Sequence, residues 1–196
     1  MNKRMEQKEK RKQQILSAGL DLFIHRGYAA TKISDIAEKA NMSVGLLFHY
    51  FESKEKLYEE LVTYGATGPK YIMEQSQGEP LSFFQNAARQ IFEFIKSDPF
   101  VAKIFVLMGQ ALYSEATPEP VRRKVSQIGS IEESIPLIEA GQKNKTIRDG
   151  DPRALALAYW TAIQGIAEEI AMRPDWPCPE SEWIVDILRR KDAGGK

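Results

Sequence analysis

Few side chains of this 196-residue chain have the type and spacing for covalent chemistry. Its two histidines, His25 and His49, stand in no Glu-x-x-His or His-Glu-x-x-His pattern, and its single cysteine, Cys178, has no histidine near it in sequence. No Walker loop, Rossmann glycine set or Gly-x-Ser-x-Gly elbow occurs. The adjacent pairs Glu132-Glu133 and Glu168-Glu169 do not share a helix face and read as solvated surface. No catalytic residue, metal site or cofactor is expected. What remains is recognition chemistry, and it concentrates in Ser43–Tyr58, SVGLLFHYFESKEKLY. Phe48, His49, Tyr50 and Phe51 follow one another there. Such a segment is too aromatic for an ordinary solvated helix and too short to be helical alone.

The elements around it must therefore hold it. Helical periodicity runs through the chain, with no alternating strand pattern. Ile15, Ala18, Leu22 and Phe23 mark a first helix, with Gly27 as its cap. Thr31 reads as the N-cap of a second, with Asp35 in its first turn and Ile33, Ile36, Ala37 and Ala40 as its apolar face. Asn41 suits the left-handed conformation that ends a helix, Ser43 caps a third helix, and Ser53 caps a fourth. Two short helices across the tight turn ANMS make a helix-turn-helix, whose second helix enters the DNA major groove. Leu47 and Phe51, four apart, then face the core, which leaves Val44, Leu46, Phe48, His49 and Tyr50 toward solvent or a partner. The rival reading is a buried core helix with His49 satisfied inside it. The flanking pattern favours DNA.

Charge distribution agrees. Net charge is zero, but residues 1–60 hold 11 Lys and Arg against 9 Asp and Glu, and MNKRMEQKEKRK has six basic residues against two acidic. A short basic arm suits an anionic surface, although a solvated tail is the plainer reading. With 43% hydrophobic and 28% charged residues the chain reads as soluble and globular, and no apolar run reaches the roughly 18 residues of a membrane span. One cysteine permits no intrachain disulfide, and no apolar stretch follows the basic start as in a signal peptide. The expected location is cytoplasmic.

The run TKISDIAEKANMSVGLLFHYFESKEKLYEEL resembles the DNA-binding signature of the TetR family of bacterial regulators, through Thr31, Ile33, Ile36, Ala37, Ala40, Ser43, Gly45, Leu47, the aromatic run to Phe51, and SKEKL. GDPRALALAYWTAIQG is similar to the family's C-terminal half. The resemblance implies an all-α fold of about nine helices. A three-helix helix-turn-helix domain spans 9–64, a ligand-binding and dimerisation bundle spans 65–191, and 1–8 and 192–196 are flexible tails. It implies a homodimer on a palindromic double-stranded DNA operator, acting as a repressor released by a small molecule. The alternative is an all-α small-molecule or protein-binding module that has lost operator binding. By the same resemblance Thr31 and Lys54 match phosphate contacts, Ser43, Val44 and Gly45 the start of the recognition helix, and His49 and Tyr50 base-edge and phosphate contacts; Leu46 and Phe48 complete the DNA-facing set. Family members often carry Lys, Thr and Tyr where Val44, Leu46 and Phe48 stand. The helix is thus expected to bind weakly by itself, with the arm around Lys8, Lys10, Arg11 and Lys12 compensating. Val44 and Leu46 have an alternative use on thymine methyls.

Beyond the fourth helix the segment YGATGP reads as a kink in a long connecting helix or as a linker. Residues 81–97 are amphipathic, Asp98-Pro99 starts another helix, and 117–144 reads as one long helix kinked at Pro136. Phe92, Phe105, Met108, Gln110, Tyr113, Trp160 and Gln164 are the candidate lining of an effector site for an apolar or aromatic small molecule. The helix 151–172 is apolar almost all round and must be buried on every side. With the last helix, 179–190, it is assigned to the dimer, through Leu155, Ile163, Ile166, Ile170, Trp183 and Ile187. That helix being central in the monomer is the alternative.

Overall fold

A computed structural model describes residues 3–74 and 78–191, with backbone alone for 69–74. Among the described residues there are ten α-helices and no β-strand beyond an isolated bridge between Ile147 and Arg189. The helices are α1 (Lys3–Ala30), α2 (Ile33–Lys39), α3 (Val44–Phe48), α4 (Lys54–Glu74), α5 (Pro80–Ser97), α6 (Pro99–Tyr113), α7 (Glu119–Ser126), α8 (Ser130–Lys143), α9 (Pro152–Met172) and α10 (Ser181–Val185). They form two compact units. One comprises residues up to Thr67 together with Lys103–Gln127; the other comprises Gly68–Ala102 and the chain from Ile128.

In the first unit α1 buries Ile15, Leu16, Ala18, Leu20, Leu22 and Phe23, and Gly27 interrupts it at φ 80°. Gly19 lets α4 approach closely: a Cβ there would lie 2.6 Å from Leu57 Cδ2. The region expected to kink or break at YGATGP instead continues α4 to Glu74. Gly65 has a packing reason to be there, because a Cβ would come within 2.6 Å of Met108 Sδ and 2.9 Å of Ile104 Cγ2 on α6. Of the tail expected at 1–8, residues 3–8 are the start of α1; residues 1–2 and 192–196 lie outside the described residues.

In the second unit α5 starts with Glu79 accepting a hydrogen bond from the Ser82 backbone N–H at 3.2 Å and with Pro80 in its first turn. Asp151 caps α9 in the same way, accepting from Arg153 N and Ala154 N at 2.8 and 3.0 Å. Tyr159, fully buried, donates its phenol proton to the Phe84 carbonyl at 2.6 Å and packs edge-on against that ring. The single helix expected over 117–144 is two, α7 and α8, separated at Gln127–Gly129, and Pro136 lies within α8. The last expected helix shrinks to α10, after which Arg148 N donates to Leu188 O at 2.8 Å across the bridge.

Candidate nucleic-acid interface

α2 is anchored by Ile36 and Ala37, both buried. Asn41 takes φ 54° to end it, and the Met42 N–H returns to the Ala37 carbonyl at 3.0 Å, which closes the tight turn. Ser43 then caps α3, its Oγ accepting from the Leu46 backbone N–H at 3.2 Å. α3 has only five residues and owes its place to Leu47 and Phe51, which are buried. That fixes the rotation of the helix. Val44 is 37% and Phe48 47% exposed, Gly45 and His49 are exposed, and Leu46 and Tyr50 are half-buried. A Cβ at Gly45 would meet nothing within 4 Å, so no packing inside the chain demands glycine there.

Two of the expected phosphate contacts are placed otherwise. Thr31 is 1% exposed, and its hydroxyl donates to the Gly27 carbonyl at 2.8 Å and lies 3.3 Å from that of Leu22. It locks the end of α1 beneath the surface; the N-cap of α2 is Lys32, whose backbone N–H donates to Asp35. Lys54 donates from Nζ to the carbonyls of Tyr28 and Thr31 at 2.7 and 2.8 Å and lies 4.2 Å from the centre of the Tyr28 ring. Burial pushes its ammonium below the ordinary lysine value. The amine clasps the α1–α2 turn. The signal was present in sequence only as a lysine 26 residues beyond Tyr28, which no local pattern connects.

The basic arm is helical. Lys8, Lys10 and Arg11 are exposed on α1, whereas Lys12 pairs with Glu60 at 2.5 Å and sits 5.9 Å from the Phe51 ring centre. On the inner side of the same unit, Asp21 bridges two helices, with Lys103 of α6 at 2.6 Å and Lys39 of α2 at 3.3 Å. Burial pushes this carboxyl up, but Lys103 and then Lys39 hold it below its ordinary value. Gln110 donates to the Ile24 carbonyl at 3.0 Å, and Lys124 donates to Thr63 Oγ1 at 2.8 Å. Residues 103–127 thus fasten onto α1 and α4.

The candidate effector residues are not brought together in one unit. Phe105, Met108, Gln110 and Tyr113 lie in the first; Phe92, Trp160 and Gln164 lie in the second. Phe92 is buried, Tyr113 is 84% exposed, and the Trp160 indole N–H donates to buried Ser134 Oγ at 3.1 Å. Gln164 donates to Glu168 Oε1 at 2.6 Å.

Of the expected dimer residues, Ile163 is 1% exposed in the folded chain, which leaves it no surface for a partner. α9 is not covered all round either: Ala156, Tyr159, Ile163 and Ala167 face inward, while Ala154, Leu157, Ala158, Thr161, Gly165 and Met172 are exposed. Leu155, Ile166, Ile170 and Ile187 are intermediate, and Trp183 is 65% exposed. Among the described residues no three His, Cys, Asp or Glu side chains cluster as metal ligands, and no helix is long and apolar enough to cross a membrane.

Known proteins resemble this arrangement in sequence and in fold. Residues 15–61 match the model of bacterial regulatory proteins of the tetR family. An uncharacterized HTH-type transcriptional regulator of Bacillus subtilis, YhgD, is 30% identical over 188 residues, covering 91% of this chain and 92% of that protein. The chain belongs to the TetR family. The HTH-type transcriptional regulator RutR of Escherichia coli is 27% identical over 165 residues, covering 81% of this TetR-family chain and 74% of RutR. The fold matches the MbdR regulator of Azoarcus sp. CIB, with TM-score 0.74 and 20% identity over 90% of this chain and 96% of that one. It also matches the TetR-family regulator PfmR of Thermus thermophilus, with TM-score 0.72 and 22% identity over 91% and 98%. This TetR-family protein is a DNA-binding transcriptional regulator, and its α2-turn-α3 is the helix-turn-helix.

Proposed function

We propose that the protein is a cytoplasmic repressor that binds a palindromic operator as a homodimer and is released by a small molecule. The observation that carries the DNA contact is the outward face of α3. Leu47 and Phe51 consume the inward face, and what stays outside is Val44, Gly45, Leu46, Phe48, His49 and Tyr50 beside the cap Ser43. Large apolar groups held in solvent on a helix this short fit a partner surface. Thr31 and Lys54 serve this face by holding the turn that carries α2, and Lys8, Lys10 and Arg11 add phosphate contacts.

Residues 9–64 are the DNA-binding segment, and 65–191 bind the effector and the second subunit. One chain supplies one recognition helix, and two half-sites need two. The exposed seam of α9, small at Ala154, Ala158 and Gly165 and apolar at Leu157 and Met172, supports close approach of a second copy. Leu155, Ile166 and Ile170 lie beside it on the same helix, and Trp183 and Ile187 join them in the proposed interface; Ile163 is left out. The aromatic content of 65–191 favours an apolar or aromatic effector, and effector and operator oppose one another with a coupling of roughly 1–3 kcal/mol.

The test selects duplexes from a random pool with the purified full chain and titrates salt on the winner. A palindromic motif bound at least tenfold over random DNA is expected. Salt-dependent binding with no preferred motif overturns the operator reading.

A further inference from the structure

We infer that this protein reads its operator through thymine methyl groups, with Val44, Leu46 and Phe48 as the reading side chains. The inference rests on the DNA-binding reading above and adds what the recognition helix can discriminate.

Direct hydrogen-bond readout in the major groove relies on a few side chains: Arg or Lys on guanine, Asn or Gln on adenine, Asp or Glu on cytosine. None of these occurs from Ser43 to Phe51. The nearest candidates lie off the helix: Asn41 sits in the φ 54° turn before α3, Glu52 follows Phe51 in the bend before α4, and Lys54 spends its ammonium on Tyr28 and Thr31. The Ser43 oxygen caps α3.

The helix presents carbon instead. By helical periodicity Gly45 and His49 stand opposite the buried pair Leu47 and Phe51, with Val44 and Phe48 on one flank and Leu46 on the other. Open space at Gly45 lets a base edge come up to the backbone between the flanks. The apolar group that the major groove offers such a surface is the thymine C5-methyl. Each half-site should therefore hold thymine at two or three positions under α3, with His49 and Tyr50 supplying the polar contacts.

Deoxyuridine separates this from hydrogen-bond readout, because it removes the methyl and keeps base pairing and groove hydrogen-bonding groups; the side-chain variants below separate it from readout of DNA shape. The selected operator is rebuilt with dU replacing T at one position of both half-sites at a time. Binding of the full chain is measured by fluorescence anisotropy at fixed salt. A buried methyl corresponds to about a fourfold loss, hence about 16-fold when both half-sites lose it. Positions of this kind should appear under α3, and 5-methylcytosine there should bind more tightly than cytosine. Val44→Ala, Leu46→Ala or Phe48→Ala should shrink the T-to-U penalty. Because these groups are at least partly exposed, the variants should still melt close to the parent. Uniform tolerance of dU within about twofold, with the operator still preferred over random DNA, overturns the inference and leaves the operator reading standing. Failure to prefer any sequence overturns the operator reading itself, and this inference with it.

Discussion

Replacing Lys54 by Met distinguishes a clasp from a phosphate contact. The amine makes two charge-assisted hydrogen bonds, at 2.7 Å to Tyr28 O and 2.8 Å to Thr31 O, and caps the Tyr28 ring at 4.2 Å. Hydrogen bonds to charged groups contribute about 1.5–3 kcal/mol each, and a cation over a ring about 0.5–2. Against these stands the lost hydration of the ammonium, which is also what depresses its pKa. Methionine keeps the stem, and water reaches part of the vacated carbonyls. The net loss works out at about 2 kcal/mol, or a melting point lower by about 4–8 °C for a chain of this size. A phosphate contact predicts something else: little change in melting, and a salt slope smaller by about 0.9 per lost phosphate, about 1.8 for two subunits. Calorimetry and a salt titration on the variant read both quantities. Unchanged melting together with a slope reduced by about 1.8 refutes the clasp.

Further expectations concern the body of the molecule. Ile163→Glu buries an unpaired charge and should unfold the second unit, whereas Ala158→Arg should give folded monomers with weak operator binding; light scattering with circular dichroism tells them apart. Gly65→Ala pushes a methyl into Met108 and Ile104 and should cost about 1–3 kcal/mol, while Gly68→Ala meets nothing and should stabilise α4 by up to about 1 kcal/mol in thermal melts. Asp21→Asn should lower stability near neutrality by about 1 kcal/mol. Since the folded-state carboxyl titrates below its ordinary 3.8, that contribution is complete above 3.8 and vanishes as pH falls through the depressed value, so parent and variant should converge in acid denaturation.

Local signals were the legible ones. Gly27 and Asn41 adopt the positive φ their types permit, Ser43 and Ser53 cap the helices that follow, and Leu47 with Phe51 faces inward. Each depends on residues within one turn of helix. What escaped depends on distant chain. The use of Thr31 as a buttress turns on its burial and on the Leu22 carbonyl nine residues back, and that of Lys54 on Tyr28. α4 runs through Gly65 because α6 packs there, a tertiary contact that overrides glycine's poor helix propensity. α9 misled for a different reason. When nearly every side of a helix is apolar, periodicity carries no information on which side the chain itself will use, and Ile163 fell on the covered one.

The return of residues 103–127 to the first unit bears on how such proteins can be recombined. A hybrid that takes only residues 1–67 carries α3 but leaves behind Lys103, Met108, Gln110 and Lys124, the partners of Asp21, Gly65, Ile24 and Thr63. Its α1 and α4 would then have to accept a stranger's α6 and α7, with the snug crossing at Gly65 matched only by chance. Moving this protein's DNA preference onto another sensor therefore calls for exchanging two separate stretches of chain, with junctions after Thr67, before Lys103 and after Gln127.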